Sequence, residues 1–229
     1  DGITMDATIH FAATMAKFSY LYQSQDREFA TQCLKAADRA YRYAENYLAD
    51  ISQEQYFHAA AELYRATGGY QYHSVVKSYL TQNPEPDLEN DFVFWGCVTY
   101  LSTKQKVDMN LCNSVTQNLM RKGETISYTS KDSKLLVATD EKQGSNAGLL
   151  RSMTRLAVVD HIITNHEYAT VLENHIHYML GRNLLAISYL DGEGERNYRD
   201  IDVSLGVMNQ VDLNAELLLL IDELVVGEE

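Results

Sequence analysis

Cysteine is scarce in this chain, and the three present, Cys33, Cys97 and Cys112, stand far apart with no Cys-x-x-Cys spacing. That pattern disfavours a disulfide framework and a zinc site and predicts buried thiols. Basic residues are also few. There are 19 Lys and Arg against 32 Asp and Glu, a net charge of −13, with no basic cluster able to neutralise a phosphate backbone or an anionic lipid surface. Neither nucleic acid nor membrane is an expected partner. The longest apolar runs, such as "AELLLLI" at 215–221, fall far short of the roughly 20 residues of a membrane span. Proline occurs twice, both times in "NPEPD" at 83–87, where it marks a firm break. No basic and then apolar segment follows Asp1, which leaves open a removed leader and a longer parent chain.

What remains is a chain of 229 residues with 45% apolar content, enough to fill a sizeable core. Its charge is compatible with a neutral small molecule or polysaccharide, and the 16 tyrosines supply aromatic platforms for one. Helical periodicity dominates. Phe11, Met15, Phe18 and Tyr22 share one face, and Phe29, Cys33, Ala36, Ala40, Tyr43 and Tyr47 share another after a polar break at 23–28. Tyr56, Ala60, Leu63 and Thr67 continue to Gly68 and Gly69, read as a C-terminal stop. Further helices are predicted at about 71–81, 91–103, 107–122, 146–163, 167–180 and 210–226. The interval 123–143 reads as polar and irregular, with "KLLVATD" at 134–140 as a candidate extended segment.

One pattern recurs. "DREFATQCL" at 26, "GYQYHSVVK" at 69 and "NHEYATVLE" at 165 each set a turn-former three residues before an aromatic at the start of a helix. Phe29, Tyr72 and Tyr168 are 43 and then 96 residues apart, and the second interval is close to two such units. Short-looped antiparallel helix pairs with small residues at their contacts predict an all-α solenoid or closed ring of hairpins. Ala30, Ala36, Ala37, Ala40 and Ala44 would permit the close approach such packing needs.

The local motifs are similar to those of a known family. "YFHAAAELYRATGGYQY" (56–72), "FVFWGCVTYL" (92–101), "GSNAGLLRSMTRLAVV" (144–159), "ENHIHYMLGRNLLAISYLDGEG" (173–194) and "VDLNAELLLL" (211–220) resemble, in that order, successive motifs of the glycoside hydrolase family 9 catalytic domain. "IHFAATMAKFSYLYQSQDREFATQCLKAADRAY" at the front resembles its first matching hairpin. The resemblance implies an (α/α)6 toroid, incomplete in this chain and forming one domain over 1–229. It also implies an extracellular hydrolase of β-1,4-glucan that inverts the anomeric centre; a sugar-binding pseudoenzyme that keeps the toroid without turnover and a structural or interaction module built from helical hairpins are the alternatives. A β-glucan or oligosaccharide is the expected partner, together with a missing N-terminal part of the same domain, and no cofactor or metal is expected.

In that family the helix ending in "GRNP", followed by "SYVTGFG", delivers substrate-binding residues to the barrel mouth. Here Gly181 would end the helix, Arg182 and Asn183 would pin the turn, and Gly192 and Gly194 would let the backbone lie close to a sugar; the structural alternative has Gly181 as C-cap and Arg182 as partner of helix-end carbonyls, with no role in binding. Arg182, Asn183, Tyr189, Tyr198 and Arg199 are the implied substrate-binding residues of this region. Trp95 is a candidate stacking platform elsewhere, as are Tyr56, Tyr70 and Tyr100, although core packing is the commoner fate of helical aromatics.

Inverting hydrolysis needs a carboxylic acid and a carboxylate about 6.5–9.5 Å apart. The family's base motif, Asp-Ala-Gly-Asp, does not occur in this sequence. Its acid lies in "NEVAIxxNA". Counting back from Asn214 gives Met208, or Gln210 if two residues are deleted, and neither can donate a proton as a carboxylic acid does. Asp191 and Glu193, in the glycine loop, are the carboxylates expected nearest a cleft. Asp212 reads as a helix-entry charge and Glu216 as a solvated or paired helix residue. The family's "HHR" motif is absent, with only Arg199 matching by type. His175 and His177 are expected at the surface, and His161 and His166 beside a turn. Glu62 is expected to be structural, with Arg65 as a partner.

Overall fold

The computed structural model describes residues 4–138, 146–163, 167–190, 194–196, 215 and 217–220. Two compact units divide the chain, residues 1–118 and 119–229, and each is taken by itself. No β-strand occurs among the described residues.

The first unit is built from helical hairpins whose starts the sequence marks. Helix α1 (Met5–Leu21) begins at Thr4, whose hydroxyl accepts the Ala7 N–H, and α2 (Arg27–Ala44) at Asp26, whose carboxylate accepts the Phe29 N–H. A 3-10 segment (Glu45–Asp50) follows. A reciprocal Ser52/Gln55 capping box opens α3 (Gln53–Thr67), which closes on Gly68 at φ 68°. Helices α4 (Tyr70–Gln82) and α5 (Asp91–Leu101) come next, and α5 is capped by the Asn90 side chain.

Helix α1 packs on α2 and on α3, and α3 packs in turn on α4 and α5. Alanines allow this crowding: Ala12, Ala16, Ala37, Ala59 and Ala60 are fully buried, and α3 is buried on every side from Ala59 to Tyr64. Cys33, Cys97 and Cys112 are all buried free thiols, as the spacing predicts. Tyr41 of α2 stacks on Tyr56 of α3 (centroids 5.0 Å apart) and meets Tyr72 of α4 edge-on (5.2 Å). The Tyr72 hydroxyl donates to Asp38 at 2.6 Å.

The loop after α5 is stitched down by side chains from three helices. The Tyr64 hydroxyl donates to the Lys106 carbonyl, and the Gln105 amide to the Arg65 carbonyl at 3.3 Å. The Asp108 N–H donates to the Tyr100 oxygen at 2.9 Å, and the same hydroxyl is hydrogen-bonded to His73 Nε2 at 3.0 Å. His73 lies flat on Tyr64 (4.3 Å, 7°), and Lys77 pairs with Asp108 at 2.8 Å.

Helix α6 (Met109–Asp132) runs on into the second unit. It is about ten residues longer than the sequence pattern suggests, and the reason is chemical. Thr125, Thr129 and Ser130 look like loop-formers, but their hydroxyls fold back on the carbonyls of Arg121, Thr125 and Ile126. Residues 134–138 form a turn with Leu136 at φ 58°, not the extended segment expected, because Val137 and Ala138 tuck inward.

Helices α7 (Asn146–Ile163) and α8 (Ala169–Met179) pack on each other as a hairpin. Leu217 and Leu220 are buried and Leu218 and Leu219 exposed, the one-sided pattern of an amphipathic final helix.

His175 corrects the surface assignment, since it is fully buried, whereas His177 is exposed. His175 Nδ1–H donates to the Val171 carbonyl, and Nε2 accepts the Ala138 N–H at 2.9 Å, which ties the turn at 134–138 to α8. Burial, with a smaller contribution from Arg182, holds its pKa below the ordinary imidazole value. The folded state therefore binds fewer protons here than the unfolded one. This contribution to stability is complete above the unfolded value of about 6.5 and is lost as pH falls through the depressed folded value. Urea unfolding should show a lower midpoint at pH 5.5 than at pH 7.5. His175→Gln, which retains an acceptor but no titration, should flatten that interval; an unchanged slope in the variant would refute the assignment.

Candidate functional site

In the second unit, the segment after α8 is a compact loop. Gly181 leaves the helix at φ 131°, a value that side-chain-bearing residues rarely adopt, and the Arg182 N–H returns to the His177 carbonyl at 2.8 Å. The Arg182 guanidinium donates to both the carbonyl and the side-chain oxygen of Asn174, at 3.0 and 2.7 Å. Asn183 organises the turn. Its amide nitrogen donates to the Tyr178 and Ile187 carbonyls, both at 2.8 Å, while its oxygen accepts from the Leu185 and Ile187 N–H groups. Both residues therefore hold the turn by hydrogen bonds within the chain.

The chain then folds under itself. Ile187, Ser188, Tyr189 and Leu190 are buried, while Leu184 projects outward with 88% exposure. The Tyr189 N–H reaches the Met179 carbonyl at 2.8 Å, and its ring lies nearly parallel to that of Tyr178. Burial raises the pKa of its hydroxyl. The Ser188 N–H pairs with the Arg196 carbonyl at 2.9 Å, which requires the backbone at 194 to lie against Ser188. Gly194, at φ 92°, makes this possible, because a Cβ there would stand 2.9 Å from the Ser188 Cβ. Gly194→Ala should strain this approach by about 1–3 kcal/mol. Faster hydrogen exchange at the Ser188 amide with unchanged exchange in α8 would verify it; no change at Ser188 would count against it.

In the first unit, α1, α3 and α5 bring a second group of polar and aromatic side chains together. His10 of α1 contacts the Phe92 ring of α5 (4.8 Å) and the Gln55 amide of α3 (3.3 Å). Trp95 is half-buried, with the Lys17 ammonium 5.6 Å from its ring centre and Phe94 against its edge. Beneath lies Glu62, fully buried, accepting from the Tyr20 hydroxyl at 2.6 Å and the Thr99 hydroxyl at 2.8 Å, with His58 Nε2 at 3.6 Å. Burial alone would raise its pKa. The nearby His58 ring and the hydrogen bonds from Tyr20 and Thr99 outweigh that and hold it below the usual carboxylate range. Arg65 does not pair with Glu62 as expected; its guanidinium sits 4.5 Å above the Tyr20 ring.

Of the other tyrosines, Tyr100 is buried in the loop network, Tyr56 is half-buried against Tyr41, and Tyr70 is 82% exposed. His10, Gln55, His58 and Phe92 were not singled out by the sequence. Nothing local marks His10, Gln55 and Phe92 as neighbours across helices. The candidates Asp191, Glu193, Tyr198, Arg199, Gln210, Asp212 and Glu216, with Gly192 and His166, lie outside the described residues. Among the described residues no group of three or more His, Cys, Asp or Glu is placed to hold a metal ion.

Comparison with known proteins adds the wider frame. The sequence model of the family described as Glycosyl hydrolase family 9 matches residues 2–203. A cellulose 1,4-beta-cellobiosidase of Acetivibrio thermocellus is 27% identical over 245 residues, covering 85% of this chain and 27% of the relative. Among solved structures, the family 9 endoglucanase J30 superimposes with a TM-score of 0.77 at 20% identity, over 85% of this chain and 40% of its own. AaCel9A in complex with cellobiose-like isofagomine gives a TM-score of 0.77 at 22% identity, over 87% and 42% of the two chains. The chain thus spans well under half the length of these proteins. The shared fold is all-α, of the (α/α)6 barrel class.

Proposed function

Because the chain belongs to glycosyl hydrolase family 9, we propose that it is part of an extracellular protein that hydrolyses β-1,4-glucan, cellulose or related oligosaccharides, with inversion at the anomeric carbon. The carrying observation is the ordered series of family motifs over almost the whole chain, together with a loop after Gly181 whose turn is pinned by Arg182 and Asn183. The similarity to a cellobiosidase and the cellobiose-like ligand of AaCel9A favour a cello-oligosaccharide as the bound species. In this reading the catalytic base comes from a segment outside the 229 residues. The loop around Asp191 and Glu193 borders the cleft, Tyr198 and Arg199 contact sugar, and these residues alone do not catalyse.

Gln210, which takes the position of the family's acid if two residues are deleted, favours a second reading. A glutamine there holds a glycosidic oxygen by a hydrogen bond without protonating it, as in a sugar-binding protein that has lost turnover. The full-length gene product, assayed on cellulose, mixed-linkage glucan and short cello-oligosaccharides, decides between them. Hydrolysis releasing the inverted anomer, read by NMR in the first minutes, supports the enzyme. Calorimetric binding without turnover supports the second reading, and neither result removes both. A stacking role for Trp95 predicts that Trp95→Ala weakens oligosaccharide binding by about 1 kcal/mol. Unchanged affinity would leave that ring to Lys17.

A further inference from the structure

Between α3 and α4 of the first unit lies a groove of about 340 Å³, within the size range that holds small ligands. On α4, Ser74, Ser78 and Gln82 stand at four-residue spacing, and Val75 and Tyr79 repeat that spacing beside them. A polar row and an apolar row therefore run side by side along one face. From Ser74 to Gln82 they cover about 12 Å of helix axis. Opposite them, α3 contributes Gln53, Tyr56 and Phe57. None of the lining residues is charged, in a chain where 22% of residues are.

The two tyrosines are fixed in advance of any ligand. Tyr79 lies nearly parallel to the buried Phe57 ring at 4.3 Å, and Tyr56 to Tyr41 at 5.0 Å, with the Tyr56 hydroxyl donating to Glu45 at 3.3 Å. The Gln82 amide donates to the Ser78 hydroxyl oxygen at 3.1 Å, which leaves its own side-chain oxygen as an acceptor. The Tyr79 hydroxyl has no hydrogen-bond partner among the described residues. Burial, with smaller contributions from Glu54, Cys97 and Asp87, pushes its pKa up to about 12, so it remains a donor at ordinary pH.

Such a lining selects among ligands. It offers no cation to a phosphate or carboxylate, and no carboxylate to a metal ion or ammonium group. An apolar helix or lipid laid over it would strip water from the amides and hydroxyls and return no hydrogen bonds. A sugar chain meets both rows at once. Its ring faces present C–H groups that pack on tyrosine, and its hydroxyls donate and accept as the glutamines and serines do. The length of the two rows exceeds a single sugar ring and suits a short chain.

We infer that the α3–α4 groove is a second binding site, for a neutral oligosaccharide of the β-1,4-glucan class, built wholly from first-unit residues and sharing none with the loop after Gly181. It holds a chain without cutting it, since no carboxylic acid lines it to protonate a leaving oxygen. The β-1,4 linkage rests on the family reading; the site rests on the groove alone.

Thiol protection in the full-length gene product tests this, since Cys33, Cys97 and Cys112 are buried. Ser74→Cys and Ser78→Cys place a thiol at exposed positions in the groove, and Tyr70→Cys, at a position 82% exposed, is the reference. Saturating thio-linked cellotetraose, which resists hydrolysis, should slow maleimide labelling of both groove thiols by about fivefold or more and leave the reference unchanged. Tyr79→Phe, which keeps the ring on Phe57 and removes only the hydroxyl, should raise the sugar concentration needed for half protection by about threefold to tenfold. Equal labelling with and without the sugar would overturn the inference, as would a half-protection point unmoved by Tyr79→Phe. Equal protection by maltotetraose would overturn the β-1,4 assignment. Protection that rises with protein concentration in the absence of sugar would give the groove to a second copy of the chain and overturn the site. Hydrolysis of cellulose without groove protection would leave the catalytic reading standing and remove this one; protection without hydrolysis would do the reverse. Two thiol positions keep the test open should either variant fail to fold.

Discussion

Glu62→Ala is expected to cost about 3–5 kcal/mol, the range found when one partner of a buried charged network is removed. That is a large part of the stability of an ordinary domain. The carboxylate is fully buried in α3 and accepts from Tyr20 on α1 and Thr99 on α5, so its loss orphans donors on both neighbouring helices. Glu62→Gln should be milder, about 1–2 kcal/mol, since the amide retains an acceptor and both hydroxyls can also accept. The two variants also differ from the parent in acid. Glu62 has a depressed folded pKa, so the folded state binds fewer protons, and its contribution is present above the ordinary glutamate value of about 4.3 and lost as pH falls through the folded value. Chemical denaturation between pH 3 and 7 should show a shallower acid limb in Glu62→Gln than in the parent. An Ala variant within 1 kcal/mol of the parent would mean that the network is replaced by water at no cost.

Gly96→Val is expected to cost about 3 kcal/mol, and Gly96→Ala somewhat less, because α5 crosses α3 where only a hydrogen fits. A Cβ at 96 would stand 2.4 Å from Phe57 Cε1. Phe57 cannot yield easily: it is fully buried, with its ring stacked 4.3 Å from that of Tyr79. The sign should reverse once Phe57 is truncated. In a Phe57→Ala background Gly96→Ala has space and gains helix propensity, about 1 kcal/mol, so it should stabilise. A double-mutant cycle by urea denaturation reads both numbers. The same penalty in both backgrounds would place the steric origin elsewhere.

Glu62 and Gly96 also mark what the sequence could and could not say. Both stand in short motifs, "AAAELYRATGG" and "FVFWGCVTYL", that point to the fold. Helix starts were legible because their causes are local: Asp26, Ser52 and Asn90 cap within three residues of themselves. The hidden features depend on partners distant in the chain. Tyr20, Thr99 and His58 converge on Glu62 from three helices, which no period reveals, and the expected partner Arg65 was drawn to Tyr20 instead. His175 looked like a surface residue because its mate is a backbone N–H at 138, with no side-chain signature. The end of α6 was lost because hydroxyl residues read as loop-formers whether or not their hydroxyls return to the helix. For the site, the sequence located a turn and named the residues that pin it. The meeting of His10, Gln55 and Phe92 became visible only when the helices were placed side by side.

Proteases accept their substrates as loose, threaded backbone. Lys104 and Lys106 offer two scissile bonds on one surface loop, at first sight the natural place for trypsin to cut the first unit. Yet that loop is held by Tyr64, Tyr100 and the Gln105 amide, so presenting either bond requires unhooking side chains anchored in α3 and α5. Digestion there should follow the rare opening of that part of the structure and not the number of exposed lysines.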